Sequence, residues 1–281
     1  MMKLSCPDFA FPLLTYPQLT RLISSLGFQY VDVGLMEGRT HHRPSAELNN
    51  PSRSALVLRG ELALHGLSAS DLFYQAGNDF RAVAVNHPDP AVRRRLRETF
   101  RRVAEYAAAL GSRHVTILPG ADFGADFGED SLRLAAEELN ARVRIARELG
   151  LTLGVEAHLG SLIPLPEQAR ELCDAVPGLT LTLDLSHFER QGVSRERMLP
   201  LCPYASHVHA RGANRLELQC PVRTNTIDFP ALVRGLHACG YTGFADLEYT
   251  YSEWENSDRT DNLSEIIQMR SLLEKTGCFE R

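Results

Sequence analysis

Four short apolar runs in the second half of the chain end in side chains that can bind a metal ion. The four are Glu156, Asp184, His209 and Glu248. Such a group is costly to bury without a compensating cation. Three oxygen donors and one nitrogen suit Mn²⁺, Mg²⁺ or Co²⁺ better than a structural zinc, which prefers Cys and His. We therefore predict one bound divalent metal ion, with Mn²⁺ favoured and Mg²⁺, Co²⁺ or Zn²⁺ as alternatives.

Three further polar residues share a face with these candidate ligands. Strand residues alternate between two faces, so His158 lies on the same side as Glu156. By the same rule, His207 and Arg211 lie on the side of His209. A neutral imidazole beside a substrate can move a proton near neutral pH, which makes His158 a candidate acid or base. His207 is grouped with the substrate-binding residues and is predicted to orient a ligand, and Arg211 is predicted to reach the pocket.

Apolar, β-rich runs alternate with longer amphipathic stretches along almost the whole chain. Eight runs are predicted to be strands, at residues 3–6, 29–35, 67–73, 113–120, 151–158, 179–188, 205–212 and 244–250. Eight βα units with short connections and no composition break indicate one α/β domain over residues 1–281, a single (β/α)8 TIM barrel. In such barrels the active site lies at the carboxyl ends of the strands, which is where the candidate ligands fall.

Two helices and two long connections can be placed from the sequence. The stretch from Ala91 to Leu110 is predicted to be a helix that ends at Gly111, and another helix is predicted from Asp130 to Leu149. The two longest connections run from Met36 to Pro51 and from Leu216 to Thr226. They are predicted to act as lids over the site.

The balance of charges argues against several classes of partner. The 281 residues carry 30 basic and 35 acidic side chains, a formal charge of −5, so neither nucleic acid nor an anionic membrane is expected as a partner. No signal-peptide pattern and no apolar run near the ~20 residues of a transmembrane helix are present, so a cytoplasmic location is expected. Only Lys3 and Lys275 are lysines. Neither ends a predicted strand, which excludes a Schiff-base mechanism.

Four motifs make the chain resemble the xylose isomerase-like TIM-barrel superfamily, and within it the sugar phosphate isomerase/epimerase group. They are G-V-E-A-H at 154–158, L-D-L-S-H-F at 183–188, H-V-H-A-R-G-A at 207–213 and G-Y-T-G-F-A-D-L-E at 240–248. The resemblance covers nearly the whole chain. It implies that His187, three residues after the metal-binding Asp, and Arg215, six residues after the metal-binding His, bind the substrate. It also implies that the metal ligands are Glu156, Asp184, His209 and Glu248.

The activity that the resemblance implies is a divalent-metal-dependent isomerisation or epimerisation of a small keto-sugar or hydroxy-keto compound. The metal would chelate a carbonyl oxygen and an adjacent hydroxyl and stabilise an enediolate. Glu156 and Glu248 would be catalytic, one removing a proton and the other returning it, with His158 as a further acid or base. Relatives in this group suggest a homo-oligomer, either a dimer or a tetramer.

One departure from the family pattern keeps a second reaction open. Ketose 3-epimerases carry a substrate-binding Glu six residues after the first metal ligand, where this chain has Leu162, so a 3-epimerase of free ketohexoses is less favoured. The alternative is a lyase, a metal-dependent dehydratase of a cyclic keto-polyol such as 3-dehydroshikimate or inosose. Its acid/base would be His158. A phosphorylated substrate is not favoured, because no glycine-rich phosphate cradle follows the last strands.

Two further classes are disfavoured. An apurinic endonuclease of the same superfamily needs extra His and Glu ligands for three metals, and the strand ends at Asp71 and Pro119 supply no such histidines. Its DNA partner would also require a basic rim, which the net charge does not indicate. A barrel that binds a sugar without catalysis would require the four-ligand site to hold no metal.

Overall fold

Eight parallel strands close into a barrel in the computed structural model, which describes residues 1–124, 130–253 and 256–280. Each strand pairs with its neighbours in the chain, and the first pairs with the last. The strands are β1 (Lys3–Pro7), β2 (Tyr30–Met36), β3 (Ser68–Gln75), β4 (His114–Ile117), β5 (Thr152–Glu156), β6 (Leu179–Asp184), β7 (Ala205–His209) and β8 (Phe244–Asp246). All eight lie at the predicted runs, and the predicted (β/α)8 TIM barrel is confirmed.

Helices follow the strands and cover the outside of the barrel. They are α1 (Tyr16–Ser25), α2 (Pro44–Glu47), α3 (Pro51–Ala63), α4 (Pro90–Leu110), α5 (Ser131–Glu148), α6 (Pro166–Ala175), α7 (Ser186–Arg190), α8 (Arg195–Met198), α9 (Phe229–Ala238) and α10 (Asn262–Glu274). The predicted bounds of α4 and α5 are correct to within one residue at each end. Within the described ranges, we find no helix with the length and apolar character needed to cross a membrane.

Capping residues explain where the two longest helices begin and end. The side chains of Asp89 and Asp130 accept hydrogen bonds from backbone N–H groups in the first turns of α4 and α5, which satisfies donors that have no partner within the helix. Gly111 ends α4 in the left-handed region at φ 91°, a conformation that glycine adopts without a steric penalty. The caps therefore set where both helices begin and where α4 ends.

The inside of the barrel is polar. Barrels of this type are commonly filled by bulky branched apolar side chains. Here the barrel carries a buried group of hydrogen-bonding side chains, which we call the polar interior: Ser5, Asp32, Asp71, Thr116, Thr182, His207 and Asp246. The apolar core lies instead between the strands and the helices, where Leu58, Phe100 and Leu139 are fully buried. The polar interior lies directly beneath the carboxyl ends of the strands.

Asp8 is a buried carboxyl group just beyond β1. Its oxygens accept hydrogen bonds from the backbone N–H of Gly34 at 2.9 Å and from the hydroxyl of Tyr16 at 3.3 Å. Burial raises the pKa of Asp8 to about 6, although nearby His42 and these hydrogen bonds act in the opposite direction. Folding therefore favours the protonated form of this side chain.

We expect Asp8→Asn to become more stable, relative to the parent protein, as the pH rises. The folded-state pKa lies above the unfolded value near 3.8, so the contribution of Asp8 to stability is present at low pH and is lost as the pH rises through about 6. Asparagine does not titrate, so the unfolding free energy of Asp8→Asn minus that of the parent protein should grow by roughly 2–3 kcal/mol between about pH 4 and pH 7. Urea unfolding across this range measures it, and a difference independent of pH would contradict this account.

Candidate metal centre

The four predicted ligands lie at the carboxyl ends of four consecutive strands. Glu156 ends β5, Asp184 ends β6 and His209 ends β7. Glu248 lies two residues beyond the end of β8. Asp184 and His209 are partners in the sheet register, so their side chains leave the barrel wall side by side. All four side chains are buried, and they lie at the same end of the barrel.

The imidazole of His209 lies at the centre of this group. Its Nδ1 is 2.7 Å from Oε1 of Glu156 and 3.3 Å from Oε1 of Glu248. One donor atom from each of these three residues lies within 4.8 Å of the others. Donor atoms of Glu156, Asp184 and His187 form a second group with the same spacing. Glu156 therefore joins two overlapping sets of candidate ligands.

The carboxylates are close enough to change the pKa of one another. Burial raises the pKa of Glu248 to about 8, and the nearby carboxylates of Glu156 and Asp184 act in the same direction. Burial would also raise the pKa of Glu156, but its contact with His209 outweighs this and lowers the pKa. Negative charge is thus crowded at this point of the barrel, and a cation would relieve the repulsion.

The residues present fit a divalent cation. Oε2 of Glu248 is buried and has no hydrogen-bond partner among the described residues, and a buried carboxylate oxygen is costly to leave unpaired. Carboxylate oxygens with one imidazole nitrogen are a donor set that divalent metal ions accept. The site is therefore a candidate divalent metal centre, and the residues that would hold the ion are Glu156, Asp184, His209 and Glu248.

Arg211 is buried against the candidate ligands. Its Nη2 donates to Oδ2 of Asp184 at 3.0 Å and lies 3.1 Å from Nε2 of His187. Its Nε donates to the hydroxyl of Ser186 at 3.0 Å and lies 3.6 Å from Oε2 of Glu248. The guanidinium thus places a positive charge beside the carboxylates. The alternation of residues along β7 predicted that Arg211 reaches the pocket, and Arg211 lines a cavity that opens above the candidate ligands.

A cavity of about 360 Å³, which we call the mouth cavity, opens above the candidate ligands. Of the two predicted lids, the connection after β2 lines it with residues 38–40, whereas residues 216–226 contribute no lining side chain in the described structure. Residues 250–253 line it instead. Five of the residues that the sequence predicted for the site line this cavity: Glu156, His158, His187, Arg211 and Glu248.

His158 and His187 lie next to each other at the mouth cavity, with ring centroids 5.7 Å apart. Nδ1 of His158 donates to the carbonyl oxygen of Leu159 at 2.8 Å. Because a carbonyl only accepts, Nδ1 carries the proton and Nε2 remains available as a base. Burial lowers the pKa of His187 to about 4, which keeps its ring neutral near pH 7. The acid/base role of His158 and the substrate contact of His187 stay predictions.

His207 lies deeper, in the polar interior, and is not among the described residues that line the mouth cavity. Its Nε2 lies 2.5 Å from Oδ2 of Asp32. The same carboxylate oxygen lies 3.7 Å from Nε2 of His209. Asp32 thus lies between His207 and His209, and the orienting role of His207 stays a prediction. Its grouping with the substrate-binding residues has no support from this position.

Three carboxyl groups of the strands β2, β3 and β8 were not predicted as part of the site. Asp32, Asp71 and Asp246 are fully buried. Asp71 lies 2.7 Å from Nδ1 of His114. Burial, and then the charge of Asp32, raise the pKa of Asp246, and neither of its oxygens has a hydrogen-bond partner in the part of the chain that the structure describes. A carboxylate inside an apolar run, as in V-D-V, S-D-L and A-D-L, is the sequence signal that could have revealed them.

We expect Asp32→Asn to weaken metal binding by roughly 10- to 100-fold, the usual effect of losing a carboxylate that supports a metal-binding His. With a metal ion at Nδ1 of His209, the Nε2 of this ring would carry the proton and would face Oδ2 of Asp32, 3.7 Å away, which would orient the ring and raise its basicity. Asp174→Asn is the control, because Asp174 is an exposed carboxyl group outside the barrel that accepts a hydrogen bond from the hydroxyl of Tyr204. Calorimetric titration of the metal-free proteins with Mn²⁺ compares them. Unchanged affinity in Asp32→Asn would show that Asp32 does not support the centre.

Arg215 and Leu162 both lie away from the mouth cavity. The side chain of Arg215 is exposed, and its guanidinium packs beside Gly192, where an added Cβ would come within 3.1 Å of it. Leu162 is buried, and its backbone N–H donates to the carbonyl of Gly120. The structure thus brings Arg211, rather than Arg215, next to the candidate ligands. The substrate contact of Arg215 stays a prediction that its position does not support.

The fold and the site define a (β/α)8 barrel with a candidate divalent metal centre at the carboxyl ends of its strands. The family model described as xylose isomerase-like TIM barrel matches residues 20–272. The chain therefore belongs to this family, and the predicted resemblance is confirmed. No curated protein shows significant sequence similarity to the chain.

Solved structures with the same fold cover almost the whole chain. An L-ribulose 3-epimerase has 18% identity and a TM-score of 0.74, over 99% of this chain and 96% of its own. A D-psicose 3-epimerase in the presence of D-fructose has 13% identity and a TM-score of 0.73, over 98% and 97%. A xylose isomerase-like TIM barrel protein from Mycobacterium smegmatis in complex with magnesium has 16% identity and a TM-score of 0.71, over 99% and 97%. At these identities the similarity shows the fold.

Proposed function

We propose that the protein is a divalent-metal-dependent isomerase or epimerase of a small keto-sugar or hydroxy-keto compound. The observation that carries this proposal is the pair Glu156 and Glu248. Both line the mouth cavity, and both approach the same Nδ1 of His209. Two carboxylates that both approach one candidate metal ligand and line the same cavity can act on one bound substrate carbon. The 3-epimerases among the similar structures support this class of reaction.

Mn²⁺ is the metal that we propose, with Mg²⁺, Co²⁺ or Zn²⁺ as alternatives. When bound, the divalent cation would polarise a carbonyl group and stabilise the negative charge that develops on the substrate. The polar interior lies below the ligands, where Oδ2 of Asp32, paired with His207, is 3.7 Å from Nε2 of His209 and would orient its ring in the metal-bound state. The proposed ligands are Glu156, Asp184, His209 and Glu248.

Glu156 and Glu248 would transfer the proton. One carboxylate removes it from the carbon next to the substrate carbonyl, and the other returns it. Return to the opposite face of the same carbon gives epimerisation, whereas transfer to the neighbouring carbon gives aldose–ketose isomerisation. The two side chains are 5% and 3% exposed, so both carboxyl groups act away from bulk water, and each takes up a solvent proton between turnovers.

Arg211 and His187 would position the substrate. Asp184 and Ser186 hold the guanidinium of Arg211 in place, and its planar fork suits vicinal hydroxyls or a carboxylate. We assign to Arg211 the substrate contact that the family resemblance implies for Arg215, because Arg211 lines the mouth cavity and Arg215 does not.

The second candidate function is a dehydratase of a cyclic keto-polyol such as 3-dehydroshikimate or inosose. It is favoured by His158, whose Nε2 is the unprotonated nitrogen of a residue that lines the mouth cavity. That nitrogen could take a proton from carbon and deliver it to the hydroxyl group on the next carbon, so that the hydroxyl leaves as water and a carbon–carbon double bond forms. The same four metal ligands would serve this reaction.

A substrate screen in D₂O separates the two reactions. Protein loaded with Mn²⁺ is incubated with keto-sugars, inososes and 3-dehydroshikimate and followed by chromatography and ultraviolet absorbance. An isomerase or epimerase gives a new sugar that carries deuterium at the carbon that receives the proton. A dehydratase gives a product that has lost one water and absorbs more strongly in the ultraviolet, because the elimination extends its conjugation. Chelated and reloaded protein is the control. Failure to bind any divalent metal, or turnover that survives chelation, would overturn the proposal.

A further inference from the structure

A second, smaller cavity adjoins the mouth cavity. It has a volume of about 70 Å³ and lies between the carboxyl ends of β3 and β4 and the helices α4 and α5. Phe80, Leu118 and His158 line both cavities. The two spaces therefore share a wall that includes the candidate acid/base, and we call the smaller one the side cavity.

The walls of the side cavity are largely apolar, and they include Val83, Val85, Leu96, Phe100 and Ile117. A buried water needs two to four polar partners, so such a space is better filled by an apolar group. One water occupies about 10–15 Å³ on the same measure. The 70 Å³ of the side cavity therefore admits several non-hydrogen atoms.

One buried charged residue, Arg142 of α5, also lines the side cavity. Its side chain is 1% exposed. Nη1 donates to the carboxylate of Glu138 at 2.8 Å and to the backbone carbonyl of the same residue at 2.9 Å. Nη2 is buried and has no hydrogen-bond partner within the described part of the chain. Because an unpaired buried guanidinium N–H is costly, its position at a cavity indicates a ligand that supplies the acceptor.

The local charge indicates that this acceptor is an anion. Glu138 pairs with Arg142, and Arg97 and Arg93 also lie 3.2 Å and 3.6 Å from its carboxylate. One negative charge is thus shared among three guanidinium groups, which leaves an excess of positive charge beside the side cavity. Electrostatic attraction is stronger away from water, and a carboxylate matches the planar donors of a guanidinium.

We propose that the side cavity is a substrate subsite for a short apolar group that ends in a carboxylate, which accepts a hydrogen bond from Nη2 of Arg142. Because Phe80 and His158 line both cavities, one substrate molecule can have its keto end at the candidate metal centre and its acidic group in the side cavity. This link between the two ends rests on the proposed function. The substrate is then an acidic hydroxy-keto compound rather than a neutral sugar. Binding of the acidic group at Arg142 does not itself depend on the metal.

Butanoate and butanamide test the requirement for charge, because the two molecules have nearly the same shape. They are titrated into metal-free protein, so that a carboxylate cannot bind to the metal ion, and binding is followed by ligand-observed NMR. We expect butanoate to bind in the millimolar range. We expect butanamide to bind about tenfold more weakly, the difference typical of a hydrogen bond to a charged group.

Two variants locate the binding. Arg142→Met keeps much of the side-chain volume and removes the guanidinium, and we expect about a tenfold loss of butanoate binding with little change for butanamide. Val83→Phe fills the side cavity from a half-buried loop position, and we expect it to exclude both probes. Val57→Phe makes the same change at an exposed position of α3 and is the matched control. Circular dichroism and thermal unfolding establish that each variant is folded.

Equal affinities for butanoate and butanamide would overturn the proposal, as would butanoate binding that survives Val83→Phe, or no butanoate binding to the parent protein. Val83→Phe leaves the pair of Arg142 and Glu138 intact, so it decides the question even when Arg142→Met does not fold. If the side cavity does not bind a carboxylate, the titrations of metal-free protein with butanoate and butanamide show it. Failure of the proposed function would appear in metal content and turnover, which are separate measurements.

Discussion

Glu248→Gln is expected to remove the metal ion from the candidate centre and, with it, the turnover of substrate. A neutral amide is a weaker ligand for a hard divalent cation than a carboxylate. We expect metal affinity to fall at least about 100-fold, since losing even a supporting partner of a ligand costs up to that much. Turnover should fall about 10³-fold or more, because charge stabilisation by a metal ion is worth several kcal/mol.

Elemental analysis and turnover of the purified variant measure this effect. Glu253→Gln is the matched control, because Glu253 lines the mouth cavity but is exposed. The metal-free Glu248→Gln protein should be no less stable than the metal-free parent, since burial and the carboxylates of Glu156 and Asp184 already disfavour the ionised side chain. A full metal content in Glu248→Gln would show that the ion is held elsewhere.

The fold and the group of candidate ligands could be predicted from the sequence because both follow from local rules. Strand alternation sets which residues face inward, and the carboxyl ends of parallel strands meet at one end of a barrel. Glu156 therefore had to approach the ends of β6 and β7 once the eight strands were recognised. The structure groups it with His209 and Glu248 and, separately, with Asp184 and His187. Nothing about the packing between distant parts of the chain was needed for this step.

The positions of Arg211 and Arg215 could not be separated from the sequence, because they depend on the path of the loop after β7. At Gly212 an added Cβ would lie 2.5 Å from the carbonyl oxygen of Cys220, and the N–H of Cys220 donates to the carbonyl of Gly212 at 2.8 Å. The loop thus folds back on itself directly after Arg211, and Arg215 is carried to the outside. This contact between Gly212 and Cys220 follows from no repeating pattern of apolar residues, so the sequence does not predict it.

The side cavity depends on tertiary packing in the same way. Arg142 falls among the apolar positions of α5, between Leu139 and Val143, where a charged residue conflicts with the helical pattern. A charged residue among the apolar positions of a helix is a local sequence feature that indicates a special environment for Arg142. The cavity beside it is formed by α4, α5 and the loops after β3 and β4, which only the folded chain brings together.

Arg211→Met is expected to lower turnover by about 10²- to 10³-fold, the range seen when a preorganised donor to developing charge is removed. The guanidinium contacts Asp184 and His187 and lines the mouth cavity, so its loss removes both a substrate donor and the charge beside the ligands. Metal should be retained, because Arg211 repels a cation rather than holding it. Arg211→Lys keeps the charge but not the planar fork, and should restore only part of the turnover.

Arg215→Met is the matched control for this prediction, because it makes the same change on the exposed side of the loop. We expect kcat and KM of Arg215→Met to stay close to those of the parent, whereas Arg211→Met should change both. Steady-state kinetics with measured metal content distinguishes the two positions. The reverse result, with turnover sensitive to Arg215 and insensitive to Arg211, would mean that the loop after β7 moves in the substrate complex and brings Arg215 to the mouth cavity.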